Sequence, residues 1–427
     1  MSCGLRVARY ELRATRYGLW KVLTRNPYLK YTMTTQDLIE QEHQYIMQTY
    51  KRFPVALTRG EGVRVWDSDG KEYLDFLAGI AVNALGYNHP AIRETIQRQS
   101  SSLIHTSNLF YTQNQVALVK MLADYSEMDC GFYCNSGAEA NEAAIKLARK
   151  WGKGRFEIIT ALQSFHGRTL AAITATGQPK YQEGFEPLVQ GFTYVPYNDS
   201  NAIEQAISEK TVAVMLEALQ GEGGIVPAEP DYMKRVVELC REHNLLLICD
   251  EVQAGMGRTG KLFAYQHYGI QPDIITLAKA LGAGFPIGMM LAKKEVASAF
   301  EYGNHASTFG GGEFVTGVAL TFTKILLEEG LLEHVEQMGS LFIEQLNVLK
   351  EKYASLIVEA RGIGLMVGLR FHESVSALDI CGAARENGLL TAIAGSNVLR
   401  FVPPLVIQPS DIEEAGSILD RTIETFA

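Results

Sequence analysis

A chain of 427 residues is longer than one ordinary hydrophobic core requires, and it predicts two domains, one large and one small. The hydrophobic content of 47% fits a globular protein, and no apolar run approaches the roughly 18 residues that a membrane-spanning helix needs. The net charge of −9 argues against nucleic acid as a partner.

The six cysteines are scattered along the chain and form no CxxC pair. This pattern is typical of a reduced, intracellular chain with buried thiols, and it argues against a disulfide framework or a zinc site. We therefore expect a cytoplasmic protein without a bound metal.

The first 32 residues differ in charge from the rest of the chain. They hold seven basic residues and one acid, Glu11, whereas the remainder holds 32 basic and 47 acidic residues. Three interpretations stand: a transit peptide, which predicts the mitochondrial matrix; a disordered arm; or sequence translated ahead of a true start at Met33. We favour the third, under which this basic extension is no part of the fold.

From Met33 the pattern predicts a regular helix and then a hairpin with its turn at Asp69-Gly70. Further helices are predicted near 90–102, 113–125, 138–151, 201–208 and 230–243. Strands are predicted near 156–160, 171–175, 192–195, 212–217, 245–249, 274–277 and 288–291. Such alternation is typical of an α/β fold with a mostly parallel sheet covered by helices.

Beyond about residue 330 the pattern changes to long helices with short strands at 365–371 and 398–402, which predicts a smaller α+β domain. The predicted organisation has four parts: a basic extension over 1–32, an N-terminal segment packing with the small domain over 33–85, a large domain over 86–330 and the C-terminal small domain over 331–427.

The stretch 245–290 carries the two residues on which the functional interpretation depends. Asp250 ends one apolar run, and Lys279 follows another within two residues. Because ligands bind at the carboxyl ends of strands in open α/β sheets, we expect both side chains to face one crevice. A nucleophilic Lys with an Asp nearby is the arrangement that pyridoxal phosphate needs. On these two residues alone, a structural interpretation is slightly favoured over the functional one: Asp250 caps a helix, and Lys279 extends from a strand end into solvent.

The segment Asn135-Ser-Gly-Ala-Glu-Ala-Asn-Glu142 opens an Ala-rich helix. Ser136 and Glu139 have the spacing of a capping box, which is a common structural feature. Gly137 removes a side chain where free N–H groups and the helix dipole favour an anion. The segment predicts a site for a cofactor phosphate, and it matches neither a Walker loop nor GxGxxG.

The segment Ser164-Phe-His-Gly-Arg168 has a functional and a structural interpretation. In the first, Phe165 lies against a cofactor ring and Arg168 clamps a substrate carboxylate. In the second, Phe165 belongs to the core and His166 is a structural histidine.

Three further segments carry candidate ligands. Glu217 ends a strand before the glycine-rich bend Gln220-Gly-Glu-Gly-Gly224, and the glycine-rich loop after Ser307-Thr308 suits a phosphate. Arg400 is a lone cation in an apolar strand and needs a partner, either a structural acid or a substrate carboxylate.

Taken together, these segments resemble the class III (ornithine-type) aminotransferases of fold type I. The resemblance runs from about Tyr50 to the C-terminus, and the ordered set is far more specific than any single member. It also includes Gly79-Ile-Ala-Val-Asn83, Leu85-Gly-Tyr-Asn-His-Pro90, Thr106-Ser-Asn-Leu-Phe110, Asp250-Glu-Val-Gln253, Gly255-Met-Gly-Arg-Thr-Gly260 and Ala278-Lys-Ala-Leu-Gly282.

The resemblance implies a role for each candidate residue. As catalytic residues, Lys279 bonds covalently to the aldehyde of pyridoxal 5′-phosphate and Asp250 meets its pyridine nitrogen. Further cofactor contacts are implied for Gly137, Ala138, Phe165, Glu251, Val252, Gln253 and Thr308, the last from the neighbouring subunit of a homodimer with shared active sites. Substrate contacts are implied for Tyr50, Arg168, Glu222, Ser307 and Arg400.

Within the family, the resemblance is greatest to members that move the terminal amine of N2-acetylornithine to 2-oxoglutarate, a step of arginine biosynthesis that gives N-acetylglutamate 5-semialdehyde and glutamate. It implies that Arg168 clamps the donor α-carboxylate and Arg400 that of 2-oxoglutarate or glutamate. We expect Glu222 to pair with Arg400 and hide that cation from the donor.

Two alternatives remain open. One is another ω-amine transaminase of the same class, acting on succinylornithine, ornithine, 4-aminobutyrate or N-succinyl-diaminopimelate. The other is a non-catalytic protein of the same fold with a regulatory role.

Three positions depart from the family pattern. Ala138 replaces the usual Thr, Ala218 the usual Pro, and Gly312-Glu313 the common Asn-Pro. The last of these bears on the choice of donor more than on the reaction type.

Overall fold

The computed structural model describes residues 33–427, so the predictions for the first 32 residues lie outside the described part. The described residues form two compact units, one comprising 33–59 with Trp66–Lys71, the other Gly60–Val65 with Glu72–Ala427. The predicted domain divisions after residues 85 and 330 stay predictions.

Helices and strands are labelled in chain order. The helices are α1 (Thr35–Tyr45), α2 (Pro90–Ser100), α3 (Gln113–Ser126), α4 (Gly137–Trp151), α5 (Leu170–Ala175), α6 (Pro179–Gln182), α7 (Ser200–Ala206), α8 (Pro230–Glu242), α9 (Lys294–Ala297), α10 (Glu313–Glu328), α11 (Leu331–Lys352), α12 (Ala377–Glu386) and α13 (Pro409–Glu424). The strands are β1 (Leu57–Glu61), β2 (Arg64–Asp67), β3 (Glu72–Asp75), β4 (Cys130–Cys134), β5 (Glu157–Ala161), β6 (Phe192–Val195), β7 (Thr211–Leu216), β8 (Leu219–Gln220), β9 (Val226–Pro227), β10 (Leu246–Asp250), β11 (Ile274–Leu277), β12 (Gly288–Ala292), β13 (Ile357–Ile363), β14 (Met366–Phe371), β15 (Leu389–Leu390), β16 (Ala392–Ala394) and β17 (Val398–Phe401).

In the first unit, α1 begins at a capping box. The Thr34 hydroxyl accepts from the Asp37 N–H at 3.1 Å, and the Asp37 carboxylate accepts from the Thr34 N–H at 3.0 Å. These reciprocal bonds satisfy two N–H groups that lack partners within the helix, so the helix predicted after Met33 is confirmed.

The second unit is built around a seven-stranded sheet in the order β4-β12-β11-β10-β7-β5-β6. Its neighbouring strands are parallel, except that β12 is antiparallel to both β11 and β4. Every residue of β7 and β10 is buried, and alternate residues of β10 belong to two different apolar clusters. Both faces of the sheet are therefore covered, and the predicted α/β fold with a mostly parallel sheet is confirmed.

A second sheet, β13-β14-β17-β16, is antiparallel throughout and carries Arg400 on β17. The buried side chain of Arg258 links this sheet to the loop after β10. Its Nη1 donates to the carbonyls of Leu365, at 3.1 Å, and Pro403, at 2.5 Å. Burial lowers the pKa of Arg258 to about 9. These bonds fix the strand bearing Arg400 relative to the loop that follows Asp250.

The prediction of a strand at 171–175 is wrong, because this segment is helix α5. The Glu142 carboxylate accepts from the N–H groups of Ala171, at 3.0 Å, and Ala172, at 3.2 Å, and thereby caps the helix start. The other predicted helices and strands over 86–330 are confirmed, with ends that differ by two residues or fewer.

None of the helices described between Met33 and Ala427 combines the length and apolar character that a membrane span requires. The five cysteines in this part of the chain are free thiols.

Candidate active site

A cavity of about 500 Å³ opens where β10 and β11 end and α4 begins. Eight of the residues predicted from the sequence line it: Gly137, Ala138, Phe165, Arg168, Asp250, Val252, Gln253 and Lys279. The cavity lies at the carboxyl edge of parallel strands, where ligands bind in open α/β sheets.

Asp250 ends β10 and is 4% exposed. Its Oδ2 accepts from Asn141 Nδ2 at 2.8 Å and from His166 Nδ1 at 2.7 Å, and its Oδ1 accepts from the Val252 N–H at 3.0 Å. Because these three hydrogen bonds reach both oxygens of the carboxylate, they fix its orientation.

His166 is buried beside this carboxylate. Burial opposes protonation, but the hydrogen bond and the charge of Asp250 outweigh it and raise the pKa of His166. The Nε2 atom of His166 is buried without a hydrogen-bond partner among the described residues. Asn141 is held in turn by the Thr276 hydroxyl, which donates to its Oδ1 at 2.7 Å.

Lys279 opens a short 3₁₀ turn directly after β11 and lines the same cavity. Its φ of +45° is a strained conformation for a residue with a side chain, and such strain is concentrated at functional sites. Burial lowers the pKa of the Lys279 amine to about 8, while nearby Glu222 opposes and Arg400 reinforces that shift. The amine is therefore about half neutral near this pH and mostly neutral one pH unit above it.

The first turn of α4 faces the cavity. The Ser136 hydroxyl accepts from the Glu139 N–H at 3.2 Å, and the Glu139 carboxylate accepts from the Asn135 N–H. A Cβ placed on Gly137 would lie 2.6 Å from Cγ1 of Val252, which is closer than real side chains approach. The glycine therefore allows the helix start to lie against the loop after β10.

A strained segment borders the cavity. The residues of the turn Ala78–Ala81 have φ values of +50°, +65°, +66° and +61°. This left-handed conformation is unfavourable for every residue except glycine, which has no Cβ. The carboxylate of Asp75 accepts from the N–H groups of Leu77 and Ala78, both at 2.9 Å, and so stabilises the start of the turn. Val82, the next residue, lines the cavity.

Arg168 is exposed and lies against aromatic rings. Its guanidinium carbon is 3.8 Å from the ring centroid of Tyr181 and 5.5 Å from that of Phe165. The sequence did not indicate Tyr181 as a site residue, because it lies thirteen residues after Arg168 in a segment that carries no recognisable motif.

Arg400, only 2% exposed, forms an ion pair with Glu222. Its Nη1 also lies 3.4 Å from Oε1 of Gln253, which lines the cavity, and its Nε is buried without a partner among the described residues. Burial tends to raise the pKa of Glu222, but the charge of Arg400 lowers it further. Glu222 is therefore ionised in this pair.

Glu217 is a buried acid that lines the cavity. Its carboxylate accepts from the N–H groups of Phe165, at 3.2 Å, and Gly221, at 3.3 Å. Burial raises the pKa of Glu217 to about 7. One carboxylate thus holds both the loop of Phe165 and the bend that leads to Glu222.

Glu251 is predicted as a cofactor contact, which stays a prediction; its carboxylate is hydrogen-bonded to the polypeptide. It accepts from the N–H groups of Ala264, at 2.7 Å, and Tyr265, at 2.8 Å, and burial raises its pKa to about 7. The carboxylate caps the 3₁₀ turn Ala264–Tyr268.

Arg400 and Glu222 do not line the cavity, and neither do three other predicted residues. The Ser307 hydroxyl accepts from Asn135 Nδ2 at 3.1 Å, and Thr308 is exposed. Tyr50 belongs to the first unit and is 71% exposed. Their implied roles stay predictions.

One of the departures from the family pattern has a structural explanation. The Glu313 carboxylate accepts from the Asn114 N–H at 3.1 Å and caps the start of α3. Nothing in the structure explains Ala218 in place of the usual Pro.

The family model for class III aminotransferases matches residues 45–423. The chain belongs to the class III aminotransferases. Among its curated relatives, the acetylornithine aminotransferase of Caldanaerobacter subterraneus subsp. tengcongensis is 51% identical over 90% of this chain and 99% of its own length. That of Methanocaldococcus jannaschii is 48% identical over 91% of this chain and 98% of its own length.

Solved class III aminotransferases share the fold. The ornithine aminotransferase of Toxoplasma gondii superimposes with a TM-score of 0.89 at 33% identity, covering 92% of this chain and 96% of that one. The acetylornithine aminotransferase of Elizabethkingia anophelis gives 0.83 at 37% identity, covering 92% and 99%. The fold is that of the type I pyridoxal-phosphate-dependent transferases.

This class III aminotransferase depends on pyridoxal 5′-phosphate, and the residues of the cavity fit that cofactor. Lys279 offers an amine of lowered pKa for the aldehyde, and Asp250 a fixed carboxylate for the pyridine nitrogen. The start of α4, cleared of a side chain at Gly137, offers N–H groups for the phosphate. Among residues 33–427, no cluster of three or more His, Cys, Asp or Glu side chains is arranged to hold a metal ion.

Proposed function

We propose that the chain transfers the terminal amine of N2-acetylornithine to 2-oxoglutarate, giving N-acetylglutamate 5-semialdehyde and glutamate. The observation that carries this proposal is the Lys279 amine, of lowered pKa, at one cavity with Asp250 and with Gln253, which contacts Arg400 of the Arg400–Glu222 ion pair. Relatives that are named for this reaction and match nearly the whole chain support it.

Pyridoxal 5′-phosphate, when bound, supplies an electron-accepting ring that stabilises negative charge on the substrate carbon. Asp250, oriented by Asn141 and His166, would offer its carboxylate to the ring nitrogen. The Lys279 amine, whose pKa is lowered to about 8, removes in its neutral form the proton from the donor carbon that bears the terminal amine. The same amine returns a proton in the second half of the reaction.

Further residues hold the cofactor in this proposal. The N–H groups at Gly137 and Ala138 would hold the phosphate, Phe165 and Val252 would pack against the ring, and Gln253 would bind the ring hydroxyl. Glu251 acts indirectly, by fixing the turn after the β10 loop. Thr308 completes the phosphate site of the neighbouring subunit.

The two substrates use different cations. Arg168, which lines the cavity, binds the α-carboxylate of the donor, with Ser307 nearby. Arg400 binds the α-carboxylate of 2-oxoglutarate. Because one site must accept a terminal amine and then an α-amine, Glu222 covers Arg400 in the donor half and releases it in the acceptor half.

We propose a homodimer with shared active sites. The support is an exposed apolar face formed by Leu103, Ile104, Leu109, Phe110, Tyr111, Tyr302 and Phe309. Asn108 links its two segments by donating to the carbonyls of Ser307 and Gly310. Exposed apolar patches of this kind mark protein interfaces, and Thr308 lies within this one.

A donor screen tests the proposal. Purified enzyme is supplied with 2-oxoglutarate and, in turn, N2-acetylornithine, succinylornithine, ornithine, 4-aminobutyrate or N-succinyl-diaminopimelate. We expect the highest kcat/KM for N2-acetylornithine. Turnover of 4-aminobutyrate without turnover of N2-acetylornithine contradicts the choice of donor.

Ornithine is the second candidate donor, because a protein named for ornithine superimposes with a TM-score of 0.89. Borohydride reduction followed by peptide mass spectrometry tests the chemistry independently of the donor. We expect the pyridoxyl label on Lys279, and a label elsewhere or none contradicts the assignment.

A further inference from the structure

Arg168 is held by aromatic faces rather than by hydrogen bonds. The described residues 33–427 provide its guanidinium with no hydrogen bond or ion pair, and its contacts are the rings of Tyr181 and Phe165. A cation over a ring face is attracted without using its N–H donors. All the N–H groups of Arg168 therefore stay available for a ligand carboxylate, unlike those of Arg400, one of which is bound by Glu222.

Tyr181 makes the closer of the two contacts, 3.8 Å from ring centroid to guanidinium carbon. Its ring meets that of Phe165 edge to face, with centroids 5.9 Å apart and planes at 86°. Phe165 lines the cavity. The aromatic pair therefore connects the orientation of the guanidinium to the wall of the site.

The backbone that carries Tyr181 is anchored. Gln182, the next residue, donates from Nε2 to the carbonyl of Thr176 at 2.8 Å and to the hydroxyl of Tyr194 at 3.0 Å. Tyr194 in turn donates to the carbonyl of Thr174 at 2.6 Å. The ring is thus presented from a fixed turn, as a group that positions another side chain must be.

We propose that Tyr181 is a positioning residue that aims Arg168 at the α-carboxylate of the donor, and so sets the preference for donors that carry this carboxylate. The inference rests on the proposed function of Arg168. A planar guanidinium binds a carboxylate through two parallel bonds only when its plane is correctly turned. The ring face of Tyr181 sets that plane.

The test compares Tyr181→Leu with the wild type on two donors. N2-acetylornithine and N-acetylputrescine have the same chain, amine and acetyl group, and only the first has the α-carboxylate. We expect the KM for N2-acetylornithine to rise about tenfold, the value expected for loss of a partly desolvated cation–π contact, with kcat little changed. For N-acetylputrescine we expect the same kcat/KM in the variant and the wild type, and the KM for 2-oxoglutarate should also stay unchanged.

Three variants separate positioning from a general structural role. Tyr181→Phe keeps the ring and should restore the low KM. In the Arg168→Lys background, Tyr181→Leu should cause no further rise, since its effect passes through the guanidinium. Trp151→Leu removes the ring that lies 5.3 Å from the guanidinium of Arg155 at the far end of α4, and it should leave the donor KM unchanged.

Equal losses on both donors, or a KM for N2-acetylornithine that does not change in Tyr181→Leu, would overturn the inference. Lys180, whose amine lies 4.7 Å from the same ring centroid, is unchanged in these variants. A wild-type enzyme that does not use N2-acetylornithine contradicts the proposed donor instead. The same comparison then uses the carboxylate-bearing donor found in the screen and its counterpart without that carboxylate.

Discussion

At the scale of single residues, Lys279 makes the pH dependence of the site predictable. Its pKa of about 8 lies below the ordinary value of 10.5, mainly because the amine is buried. In the cofactor-free enzyme, we expect the rate of covalent loading with pyridoxal 5′-phosphate to rise about tenfold per pH unit below pH 8 and to level off above it, because only the neutral amine attacks. Absorbance after rapid mixing measures this rate.

The charged neighbours of Lys279 determine the direction in which the midpoint of this pH profile moves when they are replaced. The charge of Glu222 raises the pKa of the amine and that of Arg400 lowers it. The midpoint should therefore move to lower pH in Glu222→Gln and to higher pH in Arg400→Met. A wild-type profile that still rises at pH 10 would show that the amine has its ordinary pKa.

Lys279 changes the free energy of unfolding with pH in the opposite direction to a cation that is held in an ion pair. Between pH 8 and 10.5 the unfolded chain holds more protons than the folded one, so the contribution of Lys279 to the free energy of unfolding increases as pH rises through this window. Thermal unfolding of cofactor-free Lys279→Met against wild type measures this contribution, and a difference between the two that is independent of pH would contradict it.

The ion pair between Glu222 and Arg400 predicts a change in selectivity. In Glu222→Ala, Arg400 is uncovered while the donor binds, so N2-acetylornithine can bind in the wrong orientation. We expect the ratio of kcat/KM for the donor to that for 2-oxoglutarate to fall about tenfold or more, since truncating one partner of a buried charge pair has large effects. Cofactor affinity should change far less.

Separate measurement of the two half-reactions, by absorbance of the bound cofactor, tests this expectation. Glu344→Ala, the loss of an exposed carboxylate on α11, is the matched control and should change neither half. Equal losses in both halves would refute the role of Glu222 as a gate.

The sequence predicted the catalytic pair because both residues follow apolar runs, and a strand end places a side chain at the sheet edge. It could not predict that Asn141 and His166 share the carboxylate of Asp250, because these contacts join residues 109 and 84 positions apart. It also could not separate Glu251 from Asp250, since adjacent acids after a strand look alike until the turn that binds one of them is known.

At the scale of secondary-structure elements, the start of α4 depends on a missing side chain. Gly137→Ala would place a Cβ 2.6 Å from Cγ1 of Val252, so the helix start or the β10 loop must shift. We expect cofactor affinity to fall about tenfold or more, because phosphate contacts at a helix start tolerate little displacement. Titration of cofactor-free enzyme with pyridoxal 5′-phosphate measures the affinity.

The paired variant Gly137→Ala/Val252→Ala is the control for this contact. Removing the two methyl groups of Val252 leaves its Cβ at 3.4 Å from the new Cβ, an ordinary contact, so affinity should recover relative to Gly137→Ala alone. Failure of the second substitution to restore any affinity would show that the close approach is not the cause.

Most elements could be predicted, because a buried parallel strand is a short apolar run that ends in turn residues. The segment 170–175, Leu-Ala-Ala-Ile-Thr-Ala, is also a short apolar run, and periodicity alone does not distinguish a buried strand from a buried helix of this length. The deciding contact is the carboxylate of Glu142 at its start, and a cap supplied from another helix leaves no local signal.

At the scale of the whole molecule, the exposed apolar face that includes Leu109, Phe110 and Tyr111 predicts the assembly. Phe110→Asp should weaken the dimer by placing a charge in a buried interface, and activity should fall in proportion to the monomer fraction if the active sites are shared. Sedimentation velocity and activity, measured over the same concentration range, test both statements.

Val348 offers a matched control, because it is 60% exposed on α11 and is not part of this face. Val348→Asp should leave both sedimentation and activity unchanged. A fully active monomeric Phe110→Asp enzyme would contradict the shared active site.

The two cations proposed to bind substrate carboxylates belong to different parts of the framework. Arg168 lies in the connection between β5 and α5, whereas Arg400 lies on β17 of the antiparallel sheet. An enzyme engineer can therefore vary Arg168 and Tyr181 to recruit new amines for synthesis while leaving the keto-acid side of the catalyst as it is.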